Sequence, residues 1–138
     1  MELITLDSSL SEVSSGQIAY SRALEELEQI NAKGSSVFES EADALPATQF
    51  TLSRNKQDFL TVQCHSQGEI HFTSDQLVHS GSWWKRLFVD KVFQFRCAKP
   101  VAELVIRHYF ELSREAFEDR YSEGLTHSGS LAFVELKG

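Results

Sequence analysis

Apolar residues recur every three or four positions in one early stretch of the chain, a spacing that places them along one side of a helix. The stripe consists of Tyr20, Ala23, Leu24, Leu27 and Ile30. A capping box formed by Ser14 and Gln17 is expected to begin the helix, and Gly34 to end it. The serine-rich residues 8–15 predict a loop that follows a short edge strand over residues 3–6.

The middle of the chain alternates between apolar and polar residues, which predicts a series of antiparallel strands. The predicted strands cover residues 49–53, 59–64, 69–73 and 91–97. Polar and glycine-containing turns separate the first three of them. If Gln67 and Gly68 form a two-residue hairpin loop, Cys64 and His71 lie opposite each other on neighbouring strands.

The last third of the chain predicts two helices, or one bent helix, and a final strand. Pro100 favours a helix start, because its missing N–H has no intrahelical partner in the first turn. Residues 101–112 are apolar on most faces, which is typical of a buried helix. Ser113 is expected to cap a helix over residues 114–123, and residues 131–136 predict a strand. These elements predict an α+β fold: a mainly antiparallel sheet of about five strands with two or three helices packed on one face.

Size and composition indicate one domain over residues 1–138. The chain is 41% hydrophobic and 24% charged, which is ordinary for a globular protein. No apolar run approaches the roughly 18 residues of a membrane helix, and the first residues do not resemble a secretory signal. We therefore expect a cytoplasmic protein with no membrane contact. The two cysteines, Cys64 and Cys97, lie in apolar stretches, and we expect buried, reduced thiols.

Charge changes this picture most. The chain has 20 acidic and 13 basic residues, for a net charge of −7. Nucleic-acid binding requires an excess of lysine and arginine to contact phosphates, so this balance argues against a nucleic-acid ligand. A surplus of negative potential is instead suited to a basic protein partner.

Three acidic blocks could form a surface for such a partner. Two of them lie on predicted helices, where neighbouring arginines partly offset their charge. The third is Glu39, Glu41 and Asp43, in the connection after the first helix, and no basic residue lies within it. A charge run is usually a solvated face, but this uncompensated block is the one that we expect to contact a basic protein.

The adjacent residues Trp83 and Trp84 follow a glycine-containing loop. Consecutive side chains of a strand point to opposite faces, so two tryptophans there cannot both enter the same core. Both can still be buried, one in the core and one beneath a loop. Because tryptophan is enriched at interaction hot spots, we expect Trp83 or Trp84 to anchor a partner.

No catalytic or cofactor-binding motif is present, and we expect neither a cofactor nor a metal. The nearest approach to a metal site is Cys64, His65, His71 and Asp75 around one hairpin. Strand alternation should place His65 on the face opposite Cys64 and His71, whereas zinc requires three or four converging ligands. His108, in the apolar helix, has glutamates nearby, but a hydrogen-bonded boundary histidine is the simpler interpretation.

The chain resembles the small acidic immunity proteins that bacteria pair with toxins of contact-dependent inhibition and type VI secretion. The resemblance depends on the acidic stretch at residues 39–43, the run GSWWKRLF at 81–88 and the strand-to-helix stretch at 92–103. It implies a non-catalytic protein that binds a basic toxin, for example a nuclease, and blocks it. The alternatives are a secretion chaperone or adaptor, and a small enzyme or ligand binder.

Overall fold

The computed structural model describes residues 1–34, 44, 47–55, 57–74, 91–127 and 133–137. The strands are β1 (Glu2–Leu6), β2 (Glu12–Gln17), β3 (Gln49–Asn55), β4 (Asp58–Ser66), β5 (Glu69–Ser74), β6 (Lys91–Ala98), β7 (Leu125–His127) and β8 (Val134–Glu135). The helices are α1 (Tyr20–Lys33), α2 (Lys99–Glu111) and α3 (Arg114–Arg120), and a 3₁₀ turn, Ser122–Gly124, follows α3.

One sheet contains all of these strands, in the order β2-β1-β3-β4-β5-β6-β7, with β8 also paired to β6. Every pairing is antiparallel except that of β8 with β6, which is parallel. The α+β class is therefore confirmed. The part of the chain that the structure describes has eight strands rather than about five, because β2 and β7 had no alternating pattern to predict them.

The core lies between the sheet and helices α1 and α2. Alternate side chains of β3 to β6 point toward the helices, and the seven largest are almost fully buried: Phe50, Leu52, Leu60, Ile70, Phe72, Phe93 and Phe95. From the helices, Ala23, Leu27, Ile30, Val105, Ile106 and Tyr109 complete this layer. Fully burying one such large side chain stabilises a fold by roughly 1.5–3 kcal/mol, so this layer is the main source of stability.

The start of α1 differs from the prediction. Ser14 and Gln17 do not form a capping box, because both belong to β2, which pairs with β1. The N–H of Ile18 still donates to the carbonyl of Met1 at 2.8 Å, and α1 begins only after this pairing ends. Its N-cap, Ala19, has no side chain that could cap the helix. Backbone pairing with β1 therefore prevails over the local capping signal.

The predicted stop at Gly34 and the predicted starts near Pro100 and after Ser113 are confirmed, although the first has a different cause, whereas α3 ends at Arg120 rather than at residue 123. Gly34 ends α1 with right-handed backbone angles, so a left-handed turn is not what requires glycine there. A Cβ atom at this position would collide with the Cys64 sulfur. At the other helix pair, Pro100 lies in the first turn of α2, and the Ser113 hydroxyl caps α3 by accepting from the Ala116 N–H at 3.2 Å.

A β-bulge in β4 overturns the predicted pairing of Cys64 with His71. The turn at Gln67 and Gly68 forms as predicted, and Ser66 opposes Glu69. The register then shifts by one residue, so Cys64 opposes Ile70 and His71 opposes Gln63. The extra residue is His65. Because a bulge moves all later side chains of a strand to the other face, Cys64 enters the core while His71 faces away from it.

Among the described helices, none is long and apolar enough to cross a membrane.

Candidate functional site

The face of the sheet opposite the helices carries the features that the fold does not use for its own core. On this open face, side chains of β1 to β4 line a groove of about 530 Å³. Its lining residues are Glu2, Ile4, Glu12, Thr51, Ser53, Asn55, Phe59 and Thr61. We call this depression the open-face groove. Its floor combines two apolar side chains with hydroxyl groups, a mixture that is typical of binding sites.

Two carboxylates, Glu2 and Glu12, give the open-face groove its charge. Neither lies within ion-pair distance of a lysine or arginine side chain among the described residues. The hydroxyl groups beside them are already hydrogen-bonded, since Thr51 and Thr61 contact each other at 3.0 Å. The groove therefore offers negative charge that no described cation neutralises.

Arg54, the nearest cation along β3, does not neutralise the groove because its side chain lies on the other face of the sheet. Arg54 follows Ser53 in the strand, and alternation directs its side chain to the helix side of the sheet. There its guanidinium donates to the carbonyls of Tyr109 and Leu112 at the end of α2, and lies 3.3 Å from an Asp58 oxygen. The positive charge of Arg54 therefore lies on the helix side of the sheet, away from the carboxylates of the open-face groove.

Strand β2 forms one edge of the sheet and of the open-face groove. All six of its residues are exposed, and among the described residues it pairs with β1 alone. The other backbone edge of β2 therefore has no strand partner within the described part of the chain. Val13, at 44% exposure, is one of the few large apolar side chains that the described surface presents.

The loop between β1 and β2 presents a second apolar side chain. Leu10 is 42% exposed and has a φ of +64°, and no other described residue except glycine has a positive φ. The Asp7 carboxylate holds the loop by accepting hydrogen bonds from the Ser9 N–H and hydroxyl and from the Ser11 N–H, at 2.6–3.0 Å. The Ser9 hydroxyl is the main cause of the lowered pKa of Asp7.

Three aromatic rings form a second cluster on the open face, near β5 and β6. The bulge brings His65 onto the ring of His71 with centroids 4.1 Å apart, and Phe133 covers His71 at 4.4 Å. His71 is 8% exposed, and its buried Nδ1 has no hydrogen-bond partner among the described residues. Burial is the main cause of the lowered pKa of His71, and Glu69, 3.1 Å from its Nε2, opposes this effect.

This arrangement contradicts the geometry of the predicted metal candidates. His65 and His71 share a face, whereas Cys64 lies in the core on the other one, and Asp75 lies outside the described residues. No three histidine, cysteine or acidic side chains in the described ranges are placed to hold a metal ion. The prediction that His65 and His71 point to opposite faces is wrong, because the sequence gives no sign of the bulge.

Both cysteines are buried and free, as predicted. Burial raises the pKa of Cys97 to about 12 and raises that of Cys64 as well. At neutral pH both raised pKa values favour the protonated thiol, which is a weaker nucleophile than the thiolate.

His108 contacts Arg120 and Tyr121, two residues that line a smaller pocket of about 290 Å³. Its Nδ1 accepts hydrogen bonds from the Tyr121 hydroxyl at 2.6 Å and the Arg120 Nε–H at 3.1 Å. These two donors thus occupy the Nδ1 lone pair that a general base would use. The pKa of His108 is lowered, and burial is the main cause. The half-buried, hydrogen-bonded histidine that the sequence predicted is what the structure shows.

None of the predicted partner-binding residues can be placed. Glu39, Glu41, Asp43, Trp83 and Trp84 all lie outside the described residues. Conversely, sequence reasoning missed Glu2, Glu12 and the open-face groove. The missing signal was β2 itself: once residues 12–17 are paired with residues 2–6, alternation places both glutamates on the open face.

Comparisons of the chain with protein-family models, with curated proteins and with solved structures found no match.

Proposed function

We propose that this protein is a non-catalytic binding module whose partner is a basic protein. The observation that carries this proposal is the open-face groove, where Glu2 and Glu12 lack a cationic partner among the described residues. The net charge of −7 gives the whole molecule a field of the same sign. An acidic field steers a cationic partner during diffusion, and unpaired carboxylates in a groove then fix its orientation.

In its most specific form, the proposal is an immunity protein that acts in the cytoplasm against a cognate toxin. A nuclease toxin would suit this role, because an active site that binds phosphate is basic. An acidic surface that covers such a site excludes the nucleic-acid substrate by competing for the same cations. The size, the charge and the α+β fold support this proposal.

The acidic block Glu39, Glu41 and Asp43 remains a second proposed contact for the same partner, with Trp83 or Trp84 as its apolar anchor. The acidic block and the open-face groove can attract the same partner together. Charges on separate surfaces add to one long-range field, although each close contact is specific to its own position.

The first experiment is a pull-down of the product of the adjacent upstream reading frame, followed by measurement of the association rate at several salt concentrations. We expect a one-to-one complex whose association slows as salt rises. A dimer of this chain with no folded partner would instead favour a chaperone or adaptor. Turnover of a compound by the purified chain would contradict a non-catalytic role.

Charge reversal then locates the contact. We expect Glu2→Lys with Glu12→Lys to slow association at least tenfold at low salt and to flatten its salt dependence. The matched control is Glu115→Lys with Asp119→Lys on α3, which makes the same change in net charge at two exposed positions outside the open-face groove. Equal slowing by both pairs would contradict the groove as the contact. Reversal of Glu39, Glu41 and Asp43 tests the second surface in the same assay.

A further inference from the structure

We propose that the partner adds an extended strand to the free edge of β2, and that Leu10 anchors it. This inference rests on the proposed function, because it assigns the basic partner a binding mode. Its three supports are the open backbone edge of β2, the strained and exposed Leu10, and the charge of the open-face groove that β2 borders.

The edge of β2 carries one charge, Glu12, and a register shift between Ser14 and Gln17, but it lacks the other features by which proteins protect such edges. In an antiparallel pair, every second residue directs its N–H and C=O away from the neighbouring strand, toward whatever lies beyond. Exposed edges are normally protected by lysine, proline or a covering segment. The sequence of β2, EVSSGQ, contains no lysine or proline, all six residues are exposed, and no segment that the structure describes covers them. Strand addition at such an edge is a common mode of peptide recognition.

Leu10 supplies the second, independent observation. A residue with a Cβ atom in the left-handed region costs about 1–2 kcal/mol, so glycine or asparagine is usual there. Here a leucine occupies the position, and its side chain is exposed rather than packed into the core. The three hydrogen bonds to Asp7 hold the loop in this conformation. Strain that gains no packing for the fold itself points to a contact outside it.

The occupant that fits is an extended, basic and partly apolar segment. Side chains of an added strand alternate between the two faces of the sheet. Those on the open face would meet Glu12 and the open-face groove, where lysine or arginine is complementary. Those on the other face would meet Val13, where an apolar side chain gains buried area. A second copy of this chain is disfavoured as the occupant. Both paired edges would carry Glu12, and two molecules that each have a net charge of −7 repel each other.

The test uses the full chain, labelled for amide NMR, and a synthetic nine-residue peptide of alternating lysine and valine. We expect the peptide to slow hydrogen exchange of alternate β2 amides at least tenfold and to shift the Glu12 resonances. Two control peptides separate the contributions. One replaces lysine by glutamate, and we expect no binding from it. The other is N-methylated at every amide, which keeps the charge but removes every backbone donor, and we expect at least tenfold weaker binding.

The outcomes distinguish the inference from the proposed function. If both lysine peptides bind equally and leave β2 exchange unchanged, strand addition is wrong while charge recognition stands. If the glutamate peptide protects β2 as well as the lysine peptide does, the edge accepts strands but not by charge, and the basic partner is wrong. Protection of β2 that depends on protein concentration alone would show self-association and overturn the proposed occupant.

Leu10 is tested with two variants in the same assay. Leu10→Asn and Leu10→Ala both remove the apolar side chain, and asparagine also relieves the backbone strain. We expect each variant to weaken lysine-peptide binding about fivefold, while only Leu10→Asn makes the fold more stable. Unchanged binding by both variants would remove Leu10 from the contact.

Discussion

The two ends of the sheet treat their charged groups in opposite ways. At the end covered by α2 and α3, Asp58 accepts a hydrogen bond from the Tyr109 hydroxyl at 2.7 Å and lies 3.3 Å from Arg114. Arg114 also donates to the Phe59 carbonyl at 3.1 Å and the Ser74 hydroxyl at 2.9 Å. At the β1–β2 end, the carboxylates of the open-face groove have no comparable partners within the described chain.

This difference separates structural charges from charges that are available to a partner. A buried carboxylate without partners would destabilise the fold by several kcal/mol, so Asp58 is paired on all sides. Groove carboxylates keep contact with water and need no partner for folding. Acidic side chains therefore stabilise the fold at one end, while at the other end they have no cationic partner among the described residues. Each prediction below tests whether the two ends are as different as their contacts indicate.

The largest effect is expected in the aromatic layer at the covered end. Phe95 is fully buried and packs against Phe72 and Tyr121, with ring centroids 5.1 and 5.8 Å apart. We expect Phe95→Ala to lower the free energy of unfolding by about 3–5 kcal/mol, because it leaves a cavity that the rigid sheet cannot close. Chemical denaturation measures this loss. A loss below 1 kcal/mol would mean that the layer is loosely packed.

The next effect comes from the paired carboxylate. We expect Asp58→Asn to lower the free energy of unfolding by about 3 kcal/mol, since it leaves the buried Arg114 without its opposite charge. The replacement of both Asp58 and Arg114 by apolar residues of similar volume should recover part of this loss. If Asp58→Asn unfolds at the same denaturant concentration as the wild type, the ion pair with Arg114 contributes nothing to stability.

The covered end is also the part of the fold that the sequence predicts well. Regular alternation in residues 59–64 and the many apolar residues of 101–112 are consequences of burial in the core between the sheet and the helices, so both are visible in the hydrophobic pattern. The β1–β2 end buries little, and its second strand has no such pattern. The bulge at His65 depends on how two strands pair, which one strand's sequence does not encode. Burial produces a periodic pattern of hydrophobic residues in the sequence, whereas exposed edge strands and bulges produce no such pattern.

We expect His71, on the open face, to make stability depend on pH. The pKa of His71 is lowered by burial, so the unfolded chain, with the ordinary value of 6.5, takes up a proton before the folded one does. Stability is therefore full above pH 6.5 and falls as the pH drops toward the lower folded value. His108, also lowered mainly by burial, contributes in the same direction. We expect His71→Gln to flatten the slope of unfolding free energy against pH below 6.5; an unchanged slope would contradict a buried neutral imidazole.

A smaller effect with the opposite sign is expected at Leu10. Leu10→Asn should raise the free energy of unfolding by up to about 1 kcal/mol, because asparagine tolerates left-handed backbone angles better than leucine. Leu10→Ala keeps the same strain, and we expect it to leave stability within about 0.5 kcal/mol of the wild type. Thermal unfolding of the three proteins side by side measures both. If asparagine destabilises, the leucine contributes packing to the fold, and its exposure would not indicate a partner.

The smallest change in stability is expected where the proposed function locates its charges. Glu12→Gln makes the same carboxylate-to-amide change as Asp58→Asn, but at an exposed position with no cation near it among the described residues. We expect its free energy of unfolding to stay within about 0.5 kcal/mol of the wild type, while association with a basic partner slows. The two substitutions thus compare the same chemical change at an exposed position and at a buried one. A loss at Glu12 comparable to that at Asp58 would mean that the groove carboxylate is structural, and the contrast between the two ends would disappear.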